Sequence, residues 1–357
     1  MLSTKRSRPC LSWALIVPTY ERKDVLIRSL RLAARQTRPP GEIIVIDSSH
    51  DAKDTKSAIM KELALTFSHI RWEYLSIEKP STTAQRNRGV RSSSSDICFL
   101  FDDDTLMYSD CAENIMEIYE ADQQEDIAGI GATLKQNPPK EVEECGDRST
   151  DIGQVPRNSW AARLFQKALA GNRYLLPYDT NKKPRAIPKS VKNMQTVVVD
   201  SLRGATMSFR RKFLLREPFD EMLERYAYLE DADVSQRVSR HGILLRSLDA
   251  HACHLEVSSA RISEYASAVL AGMNAMALHR IHGTNPMRFR YRYQENMIRR
   301  SILMLLKDIR WQRWSIPRTR GTWYAITSSK KIFSKSTKEL REWYPYFQRN
   351  LIDSNTR

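Results

Sequence analysis

Three consecutive carboxylates, Asp102-Asp103-Asp104, follow directly on the apolar run Ile97-Cys98-Phe99-Leu100-Phe101. Adjacent like charges repel, so a bound cation is one physical reason to hold them at the rim of a core strand. Carboxylate oxygens suit hard divalent ions such as Mg²⁺ or Mn²⁺, which commonly share their coordination with a diphosphate. A turn or helix N-cap is the alternative, since aspartate serves both. The position at a strand end favours the cation. A second acidic pair, Glu230-Asp231, opens a helical stretch, where unpaired backbone N–H groups stabilise anions and plain capping is the competing reading. In the segment Ala84 to Gly89, the guanidinium of Arg86 offers planar donors suited to phosphate or base oxygens. His251 and His254 follow the strand-like run Ile243 to Leu248.

These residues need a scaffold, and the hydrophobic pattern supplies one. Trp13 to Val17 reads as a strand ending in Pro18-Thr19-Tyr20, and Val25, Leu26, Leu30, Ala33 and Ala34 then recur at helical spacing. Pro39-Pro40-Gly41 stops that helix. Ile43 to Ile46 is a run without alternation, as expected of a parallel strand buried on both faces, and it ends in Asp47. Trp72 to Ile77, a helix near Ala84 to Val90, and the strand before Asp102 repeat the rhythm. Such alternation implies an α/β layered domain whose ligands sit at the carboxyl ends of the strands. After Ile127 to Ala132 comes a Pro-, Lys- and Glu-rich insertion, then a helical stretch around Trp160 to Ala170 and a second loop to Ser190. Loops of that length tend to carry function. Strand Val197 to Val199, a helix from about Asp231 to Arg240 and strand Ile243 to Leu248 follow, and beyond Ser258 helical spacing dominates.

In this order, six segments resemble glycosyltransferase family 2. They are Ile16-Val17-Pro18-Thr19-Tyr20-Glu21-Arg22, Ile44-Val45-Ile46-Asp47-Ser48-Ser49, Ala84-Gln85-Arg86-Asn87-Arg88-Gly89, Phe101-Asp102-Asp103-Asp104, Gly204 to Arg211, and Leu229-Glu230-Asp231-Ala232-Asp233 with Arg237 and Gly242. The resemblance covers about residues 11 to 258. It implies a GT-A fold, a Rossmann-like mixed sheet flanked by helices, with a C-terminal helical extension. It also implies an inverting, metal-dependent transfer from a nucleotide-sugar donor to a glycan or lipid-linked acceptor in surface polysaccharide or glycolipid assembly.

By the same resemblance Pro18, Thr19, Tyr20, Glu21 and Asp47 line the nucleotide, joined by Arg86, Asp102 and Asp103. Asp104 ligates Mn²⁺ or Mg²⁺, and His254 adds a ligand. Gly204 and Ala205 lie near donor sugar and acceptor. Asp231 is the base, with Glu230 orienting the acceptor. Ser48 stands where the family often has a second acidic residue, which leaves the base identity open. Gln312-Arg313-Trp314 lacks the spacing of the segment that processive members carry, so transfer of single sugars is expected.

The chain has 357 residues and a net charge of +15, which suits an ordinary soluble composition and excludes disordered, collagenous and disulfide-scaffold classes. From Val257 to Arg357 there are 19 Lys and Arg against 6 Asp and Glu, with Trp311, Trp314, Trp323 and Trp343 among them. This divides the chain into a catalytic domain at 1–258, with insertion or acceptor loops at 136–190, and a basic amphipathic helical extension at 259–357. Such a mixture suits an anionic membrane surface, while packing of the apolar faces on the catalytic domain or a second subunit is the alternative. A nucleic-acid-binding protein with a basic tail is a competing function, disfavoured by the carboxylate clusters, and no nucleic acid is expected. A sugar nucleotidyltransferase would want a Gly-rich phosphate loop near the N-terminus, which is not seen. Five cysteines without paired spacing argue for reduced thiols and a cytoplasmic protein, and the basic extension leads to the expectation of a peripheral place at the inner face of the plasma membrane.

Overall fold

The computed structural model describes residues 10–141, 175–179, 185–257 and 262–354. The stretch expected to be helical at 160–170 and most of the 136–190 loops lie outside them. The chain divides into two compact units. The first comprises Met1–Gln154, Pro184–Phe219 and Val234–Ser259, and the second Val155–Lys183, Asp220–Asp233 and Ala260–Arg357.

All the described strands belong to the first unit. In chain order it contains β1 (Trp13–Thr19), α1 (Lys23–Ala34), β2 (Glu42–Asp47), α2 (Ala52–Ile59), β3 (Arg71–Ser76), α3 (Thr82–Ser92), β4 (Ile97–Phe101) and β5 (Thr105–Met107). Then come α4 (Cys111–Ala121), β6 (Ile127–Lys135), β7 (Thr196–Val198), β8 (Thr206–Arg210) and α5 (Arg211–Arg216). Helix α6 (Glu230–Val238) starts in the second unit and ends in the first, and β9 (Ile243–His254) closes the series.

The strands form one mixed sheet in the order β3-β2-β1-β4-β8-β6-β9-β5, with β7 also on β9. The first four in that order are parallel. β1, β2 and β4 are buried along their whole length, which explains their unalternating apolar sequences. Their carboxyl ends, Thr19, Asp47 and Phe101, lie on neighbouring strands at one edge of the sheet. Apolar layers on the two faces are built around Trp13, Leu15, Phe99 and Ile115 on one side and Ile16, Ile44, Leu100 and Phe209 on the other.

Strand β9 runs six residues further than the sequence pattern indicates. Polar Ser247 and Asp249 interrupt the apolar run, but the extra residues of β9 between Arg246, opposite Gly131, and His251, opposite Thr133, are taken up in a register shift, after which pairing resumes. The far end of β9 then pairs antiparallel with β5, placing His254 opposite Thr105. That pairing carries a histidine to the residue that follows the three aspartates.

The second unit is helical: α7 (Glu264–His282), α8 (Pro286–Arg310), α9 (Pro317–Phe333) and α10 (Thr337–Asp353). Its core joins Met273, Met276, Tyr293, Ala325 and Tyr344 with Leu223 and Ala227 from the 220–233 segment. Gly321 lets α9 pack closely on α7, since a Cβ there would stand 2.6 Å from the Tyr265 carbonyl oxygen. Ser336 and Glu339 form a reciprocal cap at the start of α10.

Candidate active site

The site of the first unit is assembled by α3. Ser81 caps this helix by accepting from the Ala84 N–H, and Gly89 allows it to lie against the sheet. A Cβ at Gly89 would stand 2.3 Å from Ile16 Cγ2 and 2.7 Å from Ile46 Cδ1. The same helix then spends three consecutive polar side chains on the strand ends. Gln85 Nε2 donates to the carbonyl oxygens of Thr19 (2.9 Å) and Ile46 (2.7 Å), tying β1 to β2. Arg86, only 1 % exposed, donates through Nη2 to Asp102 Oδ1 (2.7 Å) and the Gly204 carbonyl (3.0 Å). Asn87 exchanges two hydrogen bonds with the Phe219 backbone, each 2.9 Å.

The three aspartates divide their work. Asp103 turns inward, accepting from Thr19 Oγ1 at 2.8 Å and from Arg22 Nη1 at 3.1 Å. Burial pushes its carboxyl up to about 7, against the pull of Arg22 and with the charge of Asp104 adding to the rise. Asp104 is also buried, and Oδ2 accepts from the Val257 N–H (3.0 Å) with Arg22 Nη1 at 3.5 Å. Its Oδ1 is buried without a hydrogen bond of acceptable geometry, although His254 Nε2 stands 2.9 Å away. Asp102 Oδ2 is 3.8 Å from the same nitrogen.

Asp102, Asp104 and His254 therefore offer three ligand atoms within 4.8 Å of one another. Asp104 Oδ1 and His254 Nε2, 2.9 Å apart, form an ion pair when the imidazole is protonated and offer two lone pairs to a cation when it is neutral. Two carboxylates and one neutral imidazole are a donor set that Mn²⁺ accepts. Burial opposes ionisation of Asp104, yet His254 and Arg22 hold its carboxyl below the usual range. The converse holds at His254, where burial lowers the imidazole but Asp104 and Asp102 raise it further.

Other residues expected to face a nucleotide fall around this cluster in different ways. Asp47, at the end of β2, is fully buried and accepts from Tyr74 Oη and from the Ser49 N–H. Its carboxylate shapes the turn after β2. Glu21 sits at a left-handed φ of 54° and accepts from the backbone N–H and ring of His50, and Tyr20 lies 6.4 Å from that ring. Pro18 is buried in β1, opposite Ile46. Gly204 and Ala205 form the turn into β8, where Gly204 meets Arg86.

Sequence reasoning missed Gln85 and the clamp made by Arg22, which also donates to the Val257 carbonyl at 3.3 Å. A buried acidic triplet must be offset by cations of its own chain, and the arginine three residues beyond β1 was the available signal.

Glu230 and Asp231 belong to the second unit, in the first turn of α6. Leu229 before them holds a left-handed φ of 74°. Two residues on, Asp233 is fully buried and accepts from Tyr178 Oη at 2.7 Å, with His282 Nε2 at 3.8 Å. His282 in turn stands 2.7 Å from Asp220, which Arg341 grips with two hydrogen bonds of 2.8 and 3.0 Å. The half-buried pair Glu230-Asp231 thus stands on a buried polar lattice.

The sheet order and the acidic rim beside β4 define a GT-A glycosyltransferase fold. Among solved structures, that of GalNAc-T7 with UDP, GalNAc and Mn²⁺ matches with a TM-score of 0.53 and 12 % identity, over 80 % of this chain and 51 % of that one. The chain thus spans about half the length of that neighbour. The mannosyltransferase PcManGT from Pyrobaculum calidifontis, in complex with GDP-Man and Mn²⁺, matches with a TM-score of 0.50 and 15 % identity, over 96 % of this chain and 85 % of that one. No curated protein sequence matches the chain. The model of the family Glycosyl transferase family 2 matches residues 14–140 of the chain.

Proposed function

We propose that the chain transfers a single sugar from a nucleoside-diphosphate donor to an acceptor hydroxyl, with inversion at the anomeric carbon. The observation that carries this reading is the meeting of Asp102, Asp104 and His254 at the carboxyl edge of a family 2 sheet. Both neighbouring structures hold Mn²⁺ with a nucleotide or nucleotide sugar. A divalent ion held by these three residues would offset charge on a departing diphosphate.

The remaining work falls to the chain. Arg86 fixes the orientation of Asp102 and of the Gly204 turn, leaving Asp102 Oδ2 on the side of His254 for the ion. Pro18 to Glu21 and Asp47 form the wall expected against base and ribose. Asp231 takes the proton of the acceptor hydroxyl as its oxygen bonds to the anomeric carbon and the bond to the diphosphate breaks. Glu230 orients that hydroxyl. Both carboxylates lie in the first turn of α6, where unpaired backbone N–H groups favour negative charge. The acceptor is a glycan or lipid-linked sugar of surface polysaccharide or glycolipid assembly.

The test is a panel of UDP-, GDP- and other nucleotide sugars, offered to the full chain with and without Mn²⁺. One donor should raise the unfolding temperature only when the ion is present. With that donor and a competent acceptor, Asp231→Asn should keep donor binding and lose about 10²- to 10⁴-fold in kcat. No stabilisation by any donor, or transfer undiminished in Asp231→Asn, would overturn the reading.

A further inference from the structure

Helix α8 is apolar on two sides. One side is consumed by folding, since Phe289, Tyr293, Met297, Leu303 and Met304 are buried in the second unit. On the other side Tyr291, Ile298, Ile302, Leu305 and Ile309 stay 73, 47, 48, 37 and 48 % exposed. Their spacings of seven, four, three and four residues put them on one arc of the helix, a stripe about 27 Å long. Immediately beyond the helix, Trp311 and Trp314 are 55 and 76 % exposed. Isolated exposed apolar residues need no explanation, but a stripe interrupted by the acid Glu295 alone and ending in two tryptophans does.

The charges around the stripe say what covers it. Arg292, Arg299 and Arg310 are exposed and lie seven and eleven residues apart, which places them along a single flank. Only two acids occur in α8. Glu295 is 2.5 Å from Arg299, and Asp308 is buried where it accepts from the N–H and hydroxyl of Thr319. A second copy of the chain would bring one cationic flank against another, in a region already carrying most of the net charge of +15. An anionic surface with an apolar interior satisfies both features together.

We propose that this face of α8, with Trp311 and Trp314, rests on an anionic lipid bilayer. The stripe enters the boundary between headgroups and acyl chains, the indoles sit at the interface, and the arginines reach lipid phosphates while their stems cover apolar surface. No helix among the described residues is long and apolar enough to cross a membrane, and α8 has the two-sided character of one that lies along its surface. The proposal is independent of the sugar chemistry.

Flotation of the full chain with vesicles of phosphatidylcholine alone, and of phosphatidylcholine with phosphatidylglycerol, tests it. Binding is expected to the anionic vesicles, weakening as salt rises. Arg292→Glu and Arg310→Glu should each lower the partition coefficient about fivefold or more. Ile302→Asn, at a position left 48 % exposed by folding, should also lower the partition coefficient about fivefold or more. The tryptophan emission should shift to the blue on anionic vesicles, and the shift should be lost in Trp311→Phe/Trp314→Phe. Absence of binding to anionic vesicles would overturn the proposal, as would binding indifferent to the arginine substitutions. A stable dimer in solution that buries Trp314 would also overturn it.

Discussion

Glu42 connects the stability of the first unit to the geometry of its candidate site. Its carboxylate, 5 % exposed, accepts from the hydroxyls of Ser93, Ser94 and Ser95 at 2.6, 2.6 and 3.0 Å and from Arg71 Nε and Nη2 at 3.1 and 2.9 Å. The three serines join α3, which carries Arg86, to β4, which leads into Asp102. Burial alone would raise this carboxyl, but the serine hydroxyls and Arg71 bring it from 4.5 down to about 2. That difference corresponds to about 3 kcal/mol of stability at neutral pH. Because the folded value is depressed, the contribution is complete above about 4.5 and is lost as the pH falls toward 2. Glu42→Gln keeps the shape and removes the charge, so at pH 7 it should lower the unfolding midpoint by about 10 °C. The gap between parent and variant should narrow once the pH drops below 4.5, measured by circular dichroism across a pH series. A variant within about 0.5 kcal/mol of the parent at neutral pH, or a gap that persists in acid, would refute the assignment.

Two further outcomes follow from packing and protonation. Gly89→Ala drives a methyl into Ile16 and Ile46 and should cost about 1–3 kcal/mol in urea unfolding, with an unchanged m-value. In the second unit, burial among Phe289, Tyr293 and Tyr178 lowers His279 from 6.5 to about 4. Its folded value is depressed, so the second unit should lose about 3 kcal/mol as the pH falls from 6.5 to 4. His279→Phe should flatten that part of the stability profile.

The parts legible in the sequence are those fixed by local pattern. Unalternating runs identified β1, β2 and β4 because each strand is buried on both faces, and the aspartate triplet stood out because its neighbours in sequence are its neighbours in space. Division of labour within the triplet was not readable. It depends on Thr19 and Arg22, more than eighty residues earlier, and on which carboxylate the turn directs inward. His254 was readable only through resemblance, since its place opposite Thr105 rests on pairing between a three-residue strand and the extension of β9. The grouping of residues 220–233 with the C-terminal helices likewise reflects tertiary contacts, such as Gln348 donating to the Met222 carbonyl at 2.7 Å. No periodicity announces such a contact.

Titration of Mn²⁺ into the purified chain, followed by electron paramagnetic resonance of the free ion, tests the cluster at the end of β4 most directly. The parent should bind one ion, and Asp104→Asn and His254→Ala should each weaken binding by at least about tenfold while remaining folded by circular dichroism. Equal Mn²⁺ affinity in parent and both variants would contradict the account.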